Sequence, residues 1–264
     1  MKFYVIGYKG YIGRELMRRG FLALDCDVRD RASVQRAAKY SKPDLVIHLA
    51  GHSSVNFCEE KKNEREVTDV NVMGAGNVFR VMSDSRIPCV FISSDHIFHG
   101  GVFETHKEDS KLTRPVNFYG LCKLAAEQSA QIFDANIIRT SYIFDSTRLY
   151  DDILDMDLRK YPTFIKRSFL HLYDFCDMLK KYCDNFYTMP KVLHLSGSMV
   201  VSWHTFAKEI ARQYGYKSPK PRFFDNKNFP PRPHNGGLDV SLSHSLGFPG
   251  VNYVSGIERM KHEG

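Results

Sequence analysis

Nothing in the sequence approaches the roughly 18 consecutive apolar residues of a membrane span. The opening MKFYVIGYKG has one lysine and then glycines, which is not the pattern of a secretory leader. Six cysteines, Cys26, Cys58, Cys89, Cys122, Cys176 and Cys183, form no CxxC pair and no zinc-type spacing with histidine. The expectation is a reduced, cytoplasmic protein without structural disulfides or a metal site. Internal repeats and low-complexity tracts are lacking too. So is any basic stripe interleaved with aromatics, which argues against nucleic acid as partner despite a net charge of +7. The densest charged knot, EEKKNERE, is balanced by its glutamates. An anionic small molecule suits the basic excess better than nucleic acid or a membrane surface.

What is present is a regular alternation. The 264 residues, 43% hydrophobic and 25% charged, can bury a substantial core. KFYVIG, FLALD, DLVIHLAG, PCVFISS and NIIRT read as strands. YIGRELMRRG, RASVQRAAKY (with Asp30 as cap), the stretch 60–83 and the stretch 119–133 read as helices. Continuous apolar strands separated by helices indicate a doubly wound parallel α/β sheet, Rossmann-like, with helices on both faces. After Thr140 the pattern loosens. SFLHLYDFCDMLKKYC reads as a helix, KVLHLSG as a further strand, and SWHTFAKEIARQYG as an amphipathic helix capped by Ser202. This divides the chain into a dinucleotide-binding domain, 1–142, with a segment at about 168–196 returning to it, and a smaller lobe, mainly 143–264, that binds substrate.

GYKGYIG joins the first strand to the first helix, the context a dinucleotide fingerprint requires. Gly7 permits the tight turn, Gly10 lets a pyrophosphate approach the backbone, and Gly13 lets the helix sit close to the sheet. Asp25 and Asp27, at the end of the second strand, can accept hydrogen bonds from an adenosine ribose and favour NAD. Lys9 and Arg14 can instead pair with a 2′-phosphate and favour NADP. NAD(H) and NADP(H) both remain open.

Ser94 ends PCVFISS, at the carboxyl edge where such sheets place their chemistry. In FYGLCKLAAEQ, Tyr119 and Lys123 lie one turn apart on one helix face. A glycine loop spaced GxxGxxG, a serine after a central strand, YxxxK on the next helix and Asn71 in the preceding one together resemble the extended short-chain dehydrogenase/reductase superfamily. The residue types match the chemistry of carbonyl reduction, which needs hydride from a nicotinamide and a proton for the emerging alkoxide. A free tyrosine titrates near about 10, and a neighbouring ammonium favours its phenolate. Ser94 would hydrogen-bond and polarise the carbonyl. The resemblance implies that Lys123 also holds the nicotinamide ribose and that Asn71 helps carry a proton relay.

VIHLAGHSSVNFCEE, ISSDHIFHGG, RPVNFYGLCK, NIIRTSYIF, SWHTFAKEIA and PRPHNGGLDVS narrow the likeness to the dTDP-4-dehydrorhamnose reductase family, from Lys2 to about Phe248. That resemblance implies NAD(P)H-dependent reduction of a nucleoside-diphosphate 4-keto-6-deoxy sugar, and it allows a homodimer. It places Tyr11, Ile12, Leu49, Ala50, Gly51 and Ser53 at the cofactor's diphosphate and ribose, and Asp27 and Val28 at its adenosine end. Ser94, His96, Ser141, Arg232 and Asn235 fall beside the substrate. The chain departs from the family at His96, where a Tyr is usual, and in 145–167, which matches poorly. Two alternatives stay open. One is a non-catalytic NADP-binding relative like the regulatory β subunit of methionine adenosyltransferase; the other is a nucleotide-sugar epimerase or dehydratase.

Plainer roles suit the remaining candidates. His48 reads as a hydrogen-bonded core histidine, and His171, His194 and His204 belong to unlike elements that make no metal site. Trp203 is expected to pack inward. Arg139 either supports the site or neutralises Asp145, and the basics around Arg222 read as a solvated edge.

Overall fold

The protein, a computed structural model, is described for residues 1–101, 105–149, 163–218 and 230–261. Its main sheet has six parallel strands: β1 (Phe3–Ile6), β2 (Leu22–Ala23), β3 (Leu45–His48), β4 (Cys89–Ser94), β5 (Asn136–Thr140) and β9 (Val192–His194). The spatial order is β2-β1-β3-β4-β5-β9, with every pair parallel. The chain reverses its direction of winding between β1 and β3. This is the crevice where doubly wound sheets bind their ligands.

Alternating side chains on the strands feed two cores. On one face Val5, Leu45, Ile47 and Val90 meet α1 (Tyr11–Arg18) and α8 (Leu172–Asp184) through Leu16, Phe175 and Leu179. On the other, Ile6, Val46, Phe91 and Ile137 meet α2 (Arg31–Ser41), α5 (Ala75–Asp84) and α6 (Phe118–Ile132). Such two-sided cover explains why the strands read as unbroken apolar runs.

Three elements differ from their sequence reading. FLALD pairs over only Leu22–Ala23, an exposed edge with one neighbour, before Leu24 turns away to β1. The stretch 60–83 is not one helix. It divides into a 3-10 turn (Lys61–Asn63), α4 (Glu64–Thr68), a wide π turn (Asp69–Gly74) and α5. The π turn brings Gly74 against Val28, where an added Cβ would lie 2.6 Å from Cγ2, and turns Asn71 toward the loop after β3. SFLHLYDFC begins not as helix but as the end of β7 (Lys166–Ser168) and β8 (Leu170–His171), with the His171 Nδ1 accepting from Tyr173 N at the start of α8.

The smaller lobe holds a three-stranded sheet of β10 (Val200–Ser202), β7 and β11 (Asn235–Gly236), and a pairing of β6 (Ile143–Phe144) with β8. Its core packs Phe144, Phe169 and Tyr253 against Phe206 of α9 (Trp203–Tyr214). The Phe169 and Phe206 rings stack at 4.0 Å, and Trp203 is edge-on to Phe169 at 5.0 Å, turned inward as its sequence position suggests. Ser202 caps α9 by accepting from Thr205 N, and left-handed Gly215 ends it. The region 150–162 and the basics around Arg222 lie outside the described residues. All six cysteines are free thiols, and among the described residues no helix is long and apolar enough to cross a membrane.

Candidate active site

The glycine loop is built around close backbone approach. Gly7 has φ +88°, and a Cβ there would lie 2.5 Å from Ala50 N, so the turns after β1 and β3 touch at the crevice. Gly13 serves the loop rather than the sheet, since its Cβ would come 2.4 Å from Gly7 O and 2.6 Å from Tyr8 Cα. Gly10 stands exposed at the N-cap of α1, and no side chain caps the first turn. This uncapped helix end, where only Gly7 O lies within 4 Å of a Cβ built on Gly10, fits a dinucleotide's diphosphate. Tyr11 and Ile12 open the helix, Leu49 and Ala50 face it half-buried, and Ser53 is exposed on the adjoining loop.

Past the end of β2 the acidic residues have basic neighbours. Arg29 holds both oxygens of Asp27, at 2.9 and 2.7 Å, and lowers that carboxyl's pKa by hydrogen bonding. Lys9 lies 4.0 Å from Asp25, both exposed, and Arg14 is exposed one turn into α1. Asn77 of α5 donates to Val28 O at 2.9 Å and fixes this edge from below.

The candidate catalytic residues lie at the carboxyl end of β4 and on α6. Ser94, buried, donates to Asp95 Oδ1 at 3.1 Å and accepts from His96 N at 3.2 Å. Tyr119 and Lys123 are both buried in the first two turns of α6, with Tyr119 packed among Val55, Cys58 and Val67 and Lys123 turned to the sheet. Lys123 Nζ donates to Ile92 O at 2.9 Å and sits 4.7 Å from the Phe91 ring. Burial lowers its pKa to about 8, with Glu127 opposing. The His96 ring stands edge-on to Tyr119 at 5.4 Å, and burial, with Arg167 and Arg232 nearby, lowers its pKa to about 3.

Asn71 spends both ends of its amide on one residue. Its Oδ1 accepts from His52 N at 2.7 Å and its Nδ2 donates to His52 O at 2.9 Å, which locks the loop after Gly51. Ser141 donates to Asp95 Oδ2 at 2.7 Å and accepts from Ser168 N at 3.3 Å. Arg232 reaches Asn56 Oδ1 at 2.9 Å, bridging the C-terminal strap to α3 (Val55–Glu59). Asn235 is buried, and its Oδ1 accepts from Gly237 N at 3.0 Å.

Asp95 follows Ser94 in the strand-end stretch read from the sequence, but its partner and several other residues that shape the site escaped that reading. Asp95 and Arg167, 2% and 4% exposed at their side chains, form an ion pair of 3.4 Å beneath Ser94. Gly236 is small because a Cβ there would come 2.4 Å from Asp95 Oδ2 and 2.6 Å from Arg167 Nη1. Glu59 accepts from Phe118 N at 2.5 Å, and so carries the start of α6. Asn117 caps that helix through Gly120 N at 2.8 Å. Only Asn117 had a local signal, as an N-cap residue just before FYG.

Two expectations need correction. Arg139 does not neutralise Asp145: its guanidinium makes a buried ion pair of 2.8 Å with Glu127, on the helix of Tyr119 and Lys123. His48 is a core residue between Phe79 and Phe91, yet neither ring nitrogen has a hydrogen-bond partner in the chain. Burial lowers its pKa to about 3.

Comparison with known proteins bears on the fold and the family. The spore coat polysaccharide biosynthesis protein SpsK of Bacillus subtilis (strain 168) is 26% identical over 262 residues, covering 84% of this chain and 87% of its own. A dTDP-4-dehydrorhamnose reductase of Mycolicibacterium smegmatis is 30% identical over 151 residues, 53% of this chain but 45% of that enzyme. The crystal structure of a dTDP-4-dehydrorhamnose reductase from Bacillus anthracis in complex with NADP superposes with a TM-score of 0.87 at 23% identity, covering 100% of both chains, and so shares the fold. The family model described as the RmlD substrate binding domain matches residues 1–156, more than half of the sequence. This chain therefore belongs to the RmlD substrate-binding-domain family.

Proposed function

We propose that the protein reduces the 4-keto group of a nucleoside-diphosphate 6-deoxy sugar, with NADH or NADPH as hydride donor, in the manner of a dTDP-4-dehydrorhamnose reductase. The observation that carries this reading is the burial of Ser94 at the carboxyl end of β4 together with that of Tyr119 and Lys123 one turn apart on α6, where Lys123 Nζ reaches Ile92 O of β4 at 2.9 Å. A bound nicotinamide dinucleotide would supply the hydride. Gly7, Gly10 and Gly13 would admit its diphosphate, and Lys123 would hold its ribose.

The chain's own residues then handle the oxygen. Ser94 has a hydroxyl that can donate to a carbonyl oxygen once substrate displaces the weak 3.1 Å bond to Asp95. Tyr119 delivers the proton to that oxygen as negative charge develops there. Lys123, cationic beside it and fixed by Ile92 O, makes the resulting phenolate less unfavourable. Asn71 acts through the His52 backbone, holding the loop that carries Gly51 and Ser53. Arg232, at the outer end of the crevice, suits the substrate's diphosphate.

The test is direct. Purified protein given NADPH or NADH and dTDP-4-dehydrorhamnose should consume the nicotinamide absorbance with formation of dTDP-rhamnose. Absence of turnover with any 4-keto sugar nucleotide would refute the proposal. Cofactor that stays bound and returns its hydride to the same sugar would point to epimerase chemistry.

A further inference from the structure

Asn117 does more than cap a helix. The Gly120 N–H can only donate, and it reaches Asn117 Oδ1 at 2.8 Å. The amide oxygen therefore faces α6 and Nδ2 faces the opposite way. There Nδ2 lies 2.9 Å from Pro231 O, which can only accept, and 2.9 Å from His96 Nδ1. A flipped amide would set two N–H groups and two oxygens against each other in a buried place, so its orientation is fixed from both sides. His96 Nδ1 must then accept, and a neutral imidazole carries its single proton on Nε2. Burial and the two neighbouring arginines keep the ring neutral.

We infer that Asn117 is a positioning residue that locks His96 as the Nε2–H tautomer beside Tyr119, so that this position offers the substrate a hydrogen-bond donor. The inference rests on the proposed reductase activity for its substrate, but not for its geometry. Asn117 is 6% exposed and His96 9%, so solvent does not readily reassign these bonds. Their spacing is also fixed sterically, since a Cβ at Gly120 would come 2.2 Å from His96 O. A donor here selects an acceptor oxygen, as on a keto or hydroxyl carbon of the sugar. Because the same Nδ2 holds Pro231, the tautomer is coupled to the seating of the C-terminal strap that carries Arg232.

Histidine-selective 15N labelling and long-range 1H–15N correlation of the ligand-free protein read the tautomer directly, with His96 assigned by loss of its signals in His96→Gln. The expected result is Nε2–H at pH 7. A His96 that carries its proton on Nδ1, or on both nitrogens, would overturn the inference whether or not any substrate turns over. Asn117→Asp leaves an acceptor for Gly120 N but removes the donor toward His96, and should move the proton to Nδ1. An unchanged tautomer in a folded Asn117→Asp protein also overturns it. If that variant does not fold, Asn117→Ser, which lacks the Nδ2 donor, supplies the comparison. In turnover assays Asn117→Asp should raise KM for the keto sugar about tenfold, while NADPH affinity from thermal shift stays within about twofold. An equal loss of both affinities would mean a merely structural role. A parent protein without activity defeats the reductase proposal alone, because the tautomer is read without ligand.

Discussion

Acidification should unfold this protein early, and the reason can be worked from four imidazoles. His48, His96 and His194 have pKa values lowered to about 3 by burial, and His171 to about 4. Unfolded, each titrates near about 6.5. Between those values the unfolded chain binds more protons than the folded one, so stability rises with pH across the window. Their contribution is complete above about pH 6.5 and is lost as pH falls toward 3. At pH 5 each buried neutral ring costs about 2 kcal/mol relative to the unfolded state, and the four together about 8 kcal/mol. Glu108 and Asp174, whose pKa values burial raises, act in the opposite sense, but they are two carboxyls against four imidazoles. A domain of ordinary stability has about 5–15 kcal/mol in total, so most of it should vanish between pH 7 and pH 5. Urea unfolding followed by circular dichroism at steps across that range gives the slope. Unfolding at pH 5.5 should take up between about three and four protons. His48→Leu, which keeps an apolar side chain between Phe79 and Phe91, should lower the uptake by about one proton. A free energy that stays flat from pH 7 to pH 5 would refute the reasoning.

Three substitutions probe other parts of the structure. Tyr119→Phe removes only the hydroxyl and should lower turnover by about 10²–10⁴-fold with NADP(H) binding preserved in a thermal-shift titration; an unchanged rate takes Tyr119 out of the chemistry. Arg139→Met leaves the Glu127 carboxylate buried without its cation and should cost about 3–5 kcal/mol in urea unfolding. Arg139→Met combined with Glu127→Leu should recover most of that loss, and a single-variant loss under about 1 kcal/mol contradicts the bracing role. Gly236→Ala forces a methyl against the Asp95–Arg167 pair and should destabilise by about 1–3 kcal/mol, read as a lower melting temperature; an unshifted melt means the pair can yield.

The fold was legible because its signals are local and repeated. Apolar strands flanked by helices announce a two-sided sheet, and Asp30 and Ser202 cap the helices that follow them, as such residues do. Where reading failed, a partner distant in sequence had taken over. No local pattern announces that Asn71 will bridge to His52, or that Gly74 must clear Val28, and those contacts turn part of the predicted helix into a π turn. The same limit hid Arg167 and Glu59, which meet Asp95 and α6 only after the chain has folded back. Gly7, Ser94, Tyr119 and Lys123 stood out as candidates because the expected chemistry restricts both residue type and spacing. Equally invisible in the sequence was the pairing of Asp27 with Arg29, which depends on how a loop closes.

In the proposed reaction these pairings also shape the field at the reacting oxygen. Asp95 is answered by Arg167 and Glu127 by Arg139, both pairs almost fully buried. His96 is neutral, and its neighbour Asn117 is a dipole held from two sides. Among the described residues no carboxylate lies within ion-pair distance of Lys123, whose ammonium meets the Ile92 carbonyl. Two charges are then left near Tyr119: the Lys123 ammonium one turn along α6, and the Glu59 carboxylate, which accepts from Phe118 N at 2.5 Å and from Tyr119 N at 3.4 Å. Of the two, the buried ammonium is the charge that favours an anionic oxygen over a neutral one, while Glu59 is held by backbone N–H groups. A buried cation of this kind is stable only while its own proton stays on, and burial has lowered the pKa of Lys123 to about 8. Proton supply at Tyr119 and the charge on Lys123 are thus linked, and the residues that brace α6 govern both.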